Sequence, residues 1–238
     1  MSLEKENFHP SMFIHVSRTG GTAAKHAVPF IKMSYANYSG EHYTYLGCQK
    51  YLGSVNSKLS NYFTFSIIRN PLERLVSLWS SNNWGSTKDA QILGRIMPGV
   101  EDKIPFKDYA MNLQNIENDY EPIDNISSEY LNCMCSYDLL KDENGHVSLN
   151  YLLYNKTLHQ DIVNMLNEVK NTDHNYTLDD VTMPIRGSHA ANGTTPSDKN
   201  YIDFYDDESL KFAKKYYEKD FDHFDTYRWL NKRDIQWK

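Results

Sequence analysis

The stretch Tyr62–Ser81, YFTFSIIRNPLERLVSLWSS, decides how this chain reads. Residues 62–68 are aromatic and β-branched, the composition of a buried strand. Arg69 closes that strand. Asn70 stands where a helix N-cap belongs, and Pro71 takes the first helical position, where a missing N–H is harmless. Glu73 completes a capping box. Leu72, Leu75, Val76 and Trp79 recur at helical spacing and give the helix one apolar face. Residues 70, 74 and 77 fall on the opposite side. Arg69, Arg74 and Ser77 can therefore converge on one anion. The plainer alternative pairs Arg74 with Glu73 or Asp89 and leaves Ser77 as a solvated helix serine.

An earlier stretch, Phe13–Val28, FIHVSRTGGTAAKHAV, repeats the plan. Residues 12–16 read as a short buried strand and 22–32 as a helix. The pair Gly20-Gly21 lets the backbone turn tightly with its N–H groups exposed. These point to where the helix begins, and the helix dipole adds positive potential there. Thr19 and Thr22 add hydroxyls, and Arg18 adds a fork of charged donors. Together they form a cradle for one phosphate-sized anion, although the glycine pair alone favours a bare strand–turn–helix junction. The loop is not a Walker A motif, because no glycine lies five before Gly20 and no lysine follows Gly21. Nor is it G-x-G-x-x-G.

The 238 residues suit one α/β domain with a core that needs no disulfide or metal. A net charge of −6 disfavours nucleic acid as a partner, though a local cradle can oppose the overall sign. The tyrosines, 18 of them, pack cores with the hydroxyl at the rim or line polar grooves. Three cysteines make no disulfide framework, since Cys133 and Cys135 are too close for an easy bridge and Cys48 stands apart. A reducing compartment fits, and a cytoplasmic location is expected. No apolar run has the length of a membrane span. The polar start MSLEKENFHP has no signal-peptide pattern, and it is compatible with an anchor removed upstream. Asn-x-Ser/Thr sequons at Asn37, Asn125, Asn155, Asn175 and Asn192 read as incidental in an Asn-rich chain.

Residues 82–135 read as irregular, with a short helix near PFKDYAMNL. KDENGH, 141–146, reads as a turn between two short strands. It is no calcium loop, because Leu140 stands two before Asp142 and Tyr151 six after Gly145. TLHQDIVNMLNEV, 157–169, is an amphipathic helix with Thr157 and Gln160 as capping box and Ile162, Met165, Leu166 and Val169 inward. The polar run 186–201 is a loop. A last helix is expected from about Asp207 through Phe221. Two strand–loop–helix units imply an α/β fold with a largely parallel sheet flanked by helices, in a P-loop-like nucleotide-binding architecture. One domain over 1–238 is expected.

The two loops also carry a resemblance. FIHVSRTGGTA resembles the 5′-phosphosulfate loop of PAPS-dependent sulfotransferases, h-h-H-x-P-K-T-G-G-T-S in the carbohydrate branch. FSIIRNPLERLVSLW is similar to that family's 3′-phosphate motif, h-h-R-N-P-x-x-R-h-h-S, and YYEKDFDHFDTY to its closing DF-x-x-F-x-Y signature. The resemblance implies sulfuryl transfer from PAPS (3′-phosphoadenosine 5′-phosphosulfate) to a hydroxyl, without a metal. Ser17, Arg18, Thr19, Gly20, Gly21 and Thr22 would bind the 5′-phosphosulfate, and Arg69 and Ser77 the 3′-phosphate. The polar loop from His189 to Lys199 would cover the nucleotide. Two departures stand out: Ser17 replaces the family's proline, and Arg18 its lysine. Arginine stabilises developing charge by hydrogen bonds but is a poor proton donor.

Such transfer needs a base near neutrality. In GEHYTYLGCQKYLG, between the two motifs, His42 is the choice and Glu41 the runner-up, with a surface histidine as the plain alternative. His15 reads as a packed strand residue. A sugar or glycan is the expected acceptor. Two rival readings remain at this stage. One is a P-loop kinase-like phosphotransferase, which would need a Walker lysine. The other is a degenerate module that binds PAP or PAPS without catalysis.

Overall fold

The computed structural model describes residues 8–28, 32–33, 44–80, 88–97, 104–120, 132–183 and 200–224. The chain divides into two compact units. One comprises Met1–Arg69, Glu121–Asn132 and Leu139–Asn192, and the other Asn70–Tyr120, Cys133–Asp138 and Gly193–Lys238.

The first unit holds a parallel sheet. Its strands are β1 (Ser11–Phe13), β2 (Lys32–Met33), β3 (Phe63–Ile68) and β4 (Tyr151–Tyr154), in the order β2-β1-β3-β4. All three pairings are parallel. Registers Phe13↔Phe65 and Ile67↔Leu153 place these side chains on one face. There they join the core with Ala24 and Ala27 of helix α1 (Gly21–Ala27) and Ile162, Met165 and Leu166 of helix α8 (Leu158–Val169). The Phe13 and Phe65 rings stack at 5.0 Å. At the strand entries, Asn150 Oδ1 accepts from the Thr64 N–H at 2.8 Å and from its hydroxyl at 2.9 Å, which fixes the β3–β4 register. The expected α/β fold with a parallel sheet and flanking helices is present.

Local details of this unit differ from expectation. The helix read over 22–32 stops at Ala27, and β2 follows. Val28 precedes a proline, which disfavours helical backbone, and it takes φ −133°. The inward face of α8 is as expected, with Ile162, Met165 and Leu166 at 0% exposure and Val169 at 1%. Its capping box is not formed. The Thr157 hydroxyl donates to Asp161 Oδ2 instead, and Gln160 bonds Asn164. The 141–146 turn lies between helix α7 (Ser136–Leu140) and β4, not between strands. Helix α2 (Tyr45–Ser54) precedes β3 and is capped by Thr44, whose hydroxyl accepts from Gly47 N–H.

The second unit, apart from the α7 segment that starts in it, carries helices α3 (Pro71–Trp79), α4 (Lys88–Ile96), α5 (Phe106–Met111), α6 (Leu113–Asn118), α9 (Asp207–Tyr216) and α10 (Glu218–His223). The middle of the chain is thus more helical than the sequence suggested, and the last helix breaks at Tyr217. The Tyr217 ring is fully buried and its hydroxyl donates to Cys133 O at 2.7 Å. Tyr109 donates to Asp89 and Tyr205 to Leu72 O, so these tyrosines pack with their hydroxyls satisfied. Trp79, Phe106, Phe204 and Tyr205 form an aromatic cluster.

Asp220, in the DF signature, is fully buried and accepts from the N–H groups of Ser136 at 2.9 Å and Tyr137 at 2.7 Å. It caps α7 from a distant point of the chain. Burial raises its carboxyl pKa, and the Tyr137 N–H, the Arg74 charge and the Ser136 N–H oppose that rise. Arg74 is also fully buried and donates to Met134 O at 2.8 Å. Its side chain is turned into the interior of this unit. Cys48, Cys133 and Cys135 are free and buried, and burial pushes the Cys48 thiol up to about 12.

Candidate functional site

In an open parallel sheet, ligands bind beyond the carboxyl ends of the strands where the strand order reverses. Here that point lies between β1 and β3, because the chain leaves β1 toward β2 on one side and reaches β3 on the other. The two loops singled out in the sequence follow these two strands. Beyond β1 the pairing continues as Ile14 N–H donates to Phe65 O at 2.8 Å. Ser66, in β3, donates to Ile14 O at 2.6 Å. These bonds hold the chain straight up to the turn.

The turn is built from three devices. Arg18 and Gly20 both take positive φ, 64° and 110°. Thr19 between them is fully buried, and its hydroxyl donates to Val16 O at 2.7 Å. The expected hydroxyl donor is therefore engaged inside the turn. Gly21 is required by close approach: a Cβ there would overlap the ring of His15. His15 is the packed residue expected, 6% exposed and stacked on Phe13 at 5.2 Å. Neither glycine is interchangeable with the other.

Helix α1 starts at Gly21 with Gly20 as its N-cap and no side-chain cap. Its first-turn N–H groups have no intrahelical acceptor, as at any helix start. Ser17 is buried, while Arg18 and Thr22 are exposed. The Arg18 guanidinium pKa is lowered by desolvation and then by the charge of Arg69. It stays charged at neutral pH all the same.

Arg69, at the end of β3, donates from Nη1 to Arg18 O at 3.1 Å. The two loops are thus joined, with two cationic side chains at one end of the sheet. An anion placed there would relieve their mutual repulsion. In the second unit, Asn70 caps α3 by accepting from the N–H groups of Leu72 at 2.9 Å and Glu73 at 3.2 Å, with Pro71 in the first turn. Ser77 is 5% exposed on this helix, so it is not the solvated serine of the plainer reading.

The sequence missed one residue of this site. Asn155, just after β4, donates from Nδ2 to Thr19 O at 2.7 Å. No local pattern marks it; only the neighbouring positions of β3 and β4 bring it to the loop. His42, Glu41, His189 and Lys199 lie outside the described residues. Among the described residues no group of three or more His, Cys, Asp or Glu could hold a metal ion, and no helix is long and apolar enough to cross a membrane.

The two motif loops thus leave neighbouring strands of a parallel sheet at the point where the strand order reverses. A profile of the sulfotransferase family matches residues 32–228, and the chain belongs to that family. Its members move a sulfuryl group to a hydroxyl and generally draw it from PAPS. No curated protein and no solved structure matches the chain. The matched span includes Arg69 to Ser77 and begins after the Arg18 loop, which rests on its own geometry and motif. The kinase-like alternative loses its support with this membership.

Proposed function

We propose that this sulfotransferase moves a sulfuryl group from PAPS to a hydroxyl of a sugar or glycan, with residues 1–238 working as one sulfotransferase-like domain. The observation that carries the reading is the Arg69–Arg18 bond, which joins the two motif loops at the reversal point of the sheet. The donor set fits a nucleotide with anionic groups at both ends. An uncapped turn and Arg18 suit the 5′ group, and half-buried Arg69 suits the 3′-phosphate.

When bound, PAPS supplies the sulfuryl group and a phosphate leaving group. Ser17 and the backbone N–H groups of Thr19, Gly20, Gly21 and Thr22 hold the 5′ end. Arg18 stabilises developing charge by hydrogen bonds. Arg69 holds the 3′-phosphate, and the motif adds Ser77. His42 takes the proton of the acceptor hydroxyl, with Glu41 as the second candidate. His189 and Lys199 belong to the loop that covers the nucleotide. The carbohydrate acceptor rests on the branch pattern of the first loop.

Calorimetry with PAP, followed by a turnover assay with PAPS over sugar and phenol acceptors, tests the reading. The expected result is PAP binding and transfer to a sugar. His42→Ala should abolish transfer while PAP affinity stays near that of the parent. Equal loss of PAP binding in that variant would make His42 structural. PAP binding with no transfer to any acceptor would favour the degenerate module.

A further inference from the structure

We propose that Asn155 is a positioning residue of the donor site, one that aims the backbone N–H groups of the 17–22 loop by holding the Thr19 carbonyl. The proposal rests on reading that loop as the cradle for the 5′ group.

Positive φ at Arg18 is a conformation that a non-glycine residue adopts only where its surroundings impose it. Two holds on the loop supply that constraint. Arg69 Nη1 takes the Arg18 carbonyl at 3.1 Å, and Asn155 Nδ2 takes the Thr19 carbonyl at 2.7 Å. In a trans peptide the carbonyl of one residue and the N–H of the next point in opposite directions. Holding these two carbonyls therefore turns the N–H groups of Thr19 and Gly20 away from Arg69 and Asn155. Successive N–H groups aimed by alternating backbone conformations form an anion-binding concavity.

Asn155 also fills the space at Gly20. A Cβ on Gly20 would lie 2.8 Å from Asn155 Nδ2 and 3.2 Å from Leu158 Cδ2. Gly20 is thus required both for its φ and for the Asn155 contact. Asn155 is held in its turn by Asp161, a buried carboxylate. Asp161 Oδ2 accepts from Tyr154 N–H at 2.7 Å and from the Thr157 hydroxyl at 2.9 Å, one on each side of Asn155 in the chain. The nitrogen that a glycan would take in the Asn155-Lys156-Thr157 sequon is the one that bonds Thr19.

The test compares PAP with adenosine 3′-phosphate, which lacks the 5′ group, and measures amide hydrogen exchange in the nucleotide-free protein. Asn155→Ala should weaken PAP about tenfold, the value of one hydrogen bond, and leave adenosine 3′-phosphate within about twofold. Exchange across residues 17–22 should quicken. Asn155→Asp keeps the shape, loses the donor, and should do the same, with a thermal melt confirming that each variant is folded. Equal weakening of both nucleotides, or unchanged PAP affinity, overturns the proposal. If the parent binds neither nucleotide, the donor-site reading fails, and the exchange comparison still decides the clamp: quicker exchange in the variants sustains it, and unchanged exchange overturns it.

Discussion

The junction after β1 and the junction after β3 look alike in sequence, each with an arginine between a buried strand and a helix, yet they solve the helix start in opposite ways. Helix α3 is closed from within: Asn70 accepts from two N–H groups and Pro71 has none to offer. Helix α1 has a glycine N-cap with no side chain to accept, and a turn bent by two positive-φ residues. A helix start that is already capped has little left for a ligand, so anion binding beside it must come from side chains such as Arg69. A helix start left uncapped offers its backbone instead. Under the proposed function, the contrast gives backbone recognition to the first junction and side-chain recognition to the second.

Substitutions at four positions can break or sharpen that contrast. Arg18→Ala should lower turnover by about 100-fold or more, the cost of losing a donor to developing charge. Because Arg18 is exposed, the melting temperature should barely move. Arg18→Lys should retain most of the rate, and an alanine variant as active as the parent would remove Arg18 from the chemistry. Arg69→Ala should weaken PAP by roughly 10- to 100-fold in calorimetry, the range for a hydrogen bond to a charged group. Unaltered affinity would show that side-chain recognition lies elsewhere. Gly21→Ala drives a methyl into the His15 ring and should destabilise the fold by about 1–3 kcal/mol in chemical denaturation. A neutral result would mean that His15 yields easily. Asn70→Ala should cost about 1 kcal/mol of stability with little change in PAP affinity. A large loss of affinity would mean that the second junction also uses its backbone.

Much of this was legible in the chain, and the pattern of successes is physical. Asn70 and Pro71 stand within a turn of the groups they serve, so the start of α3 is readable residue by residue. The inward face of α8 follows from its apolar spacing. The failures involve competition. Thr157 looked like half of a capping box, but buried Asp161 takes its hydroxyl. Residues 136–140 gave no helical signal of their own, and Asp220 caps them across a separation of 84 positions from Ser136. By spacing, Arg74 could equally well serve an anion or pair with Glu73 or Asp89. Its full burial and its bond to Met134 O place it in the interior.

The sequence alone determined the two strand–loop–helix units, the cap of α3, the need for glycine in the first turn and the family kinship, whose matched span covers the second motif. These depend on contacts within a few residues and on backbone preferences that each residue brings with it. The strand order was decided in three dimensions, and with it the bond from Arg69 to Arg18 across 51 positions and from Asn155 to Thr19 across 136. The two glycines also acquired their separate reasons there, one against Asn155 and the other against His15. Such pairings leave no periodic trace in the chain, because they form only once parallel strands with long connections have come to lie side by side.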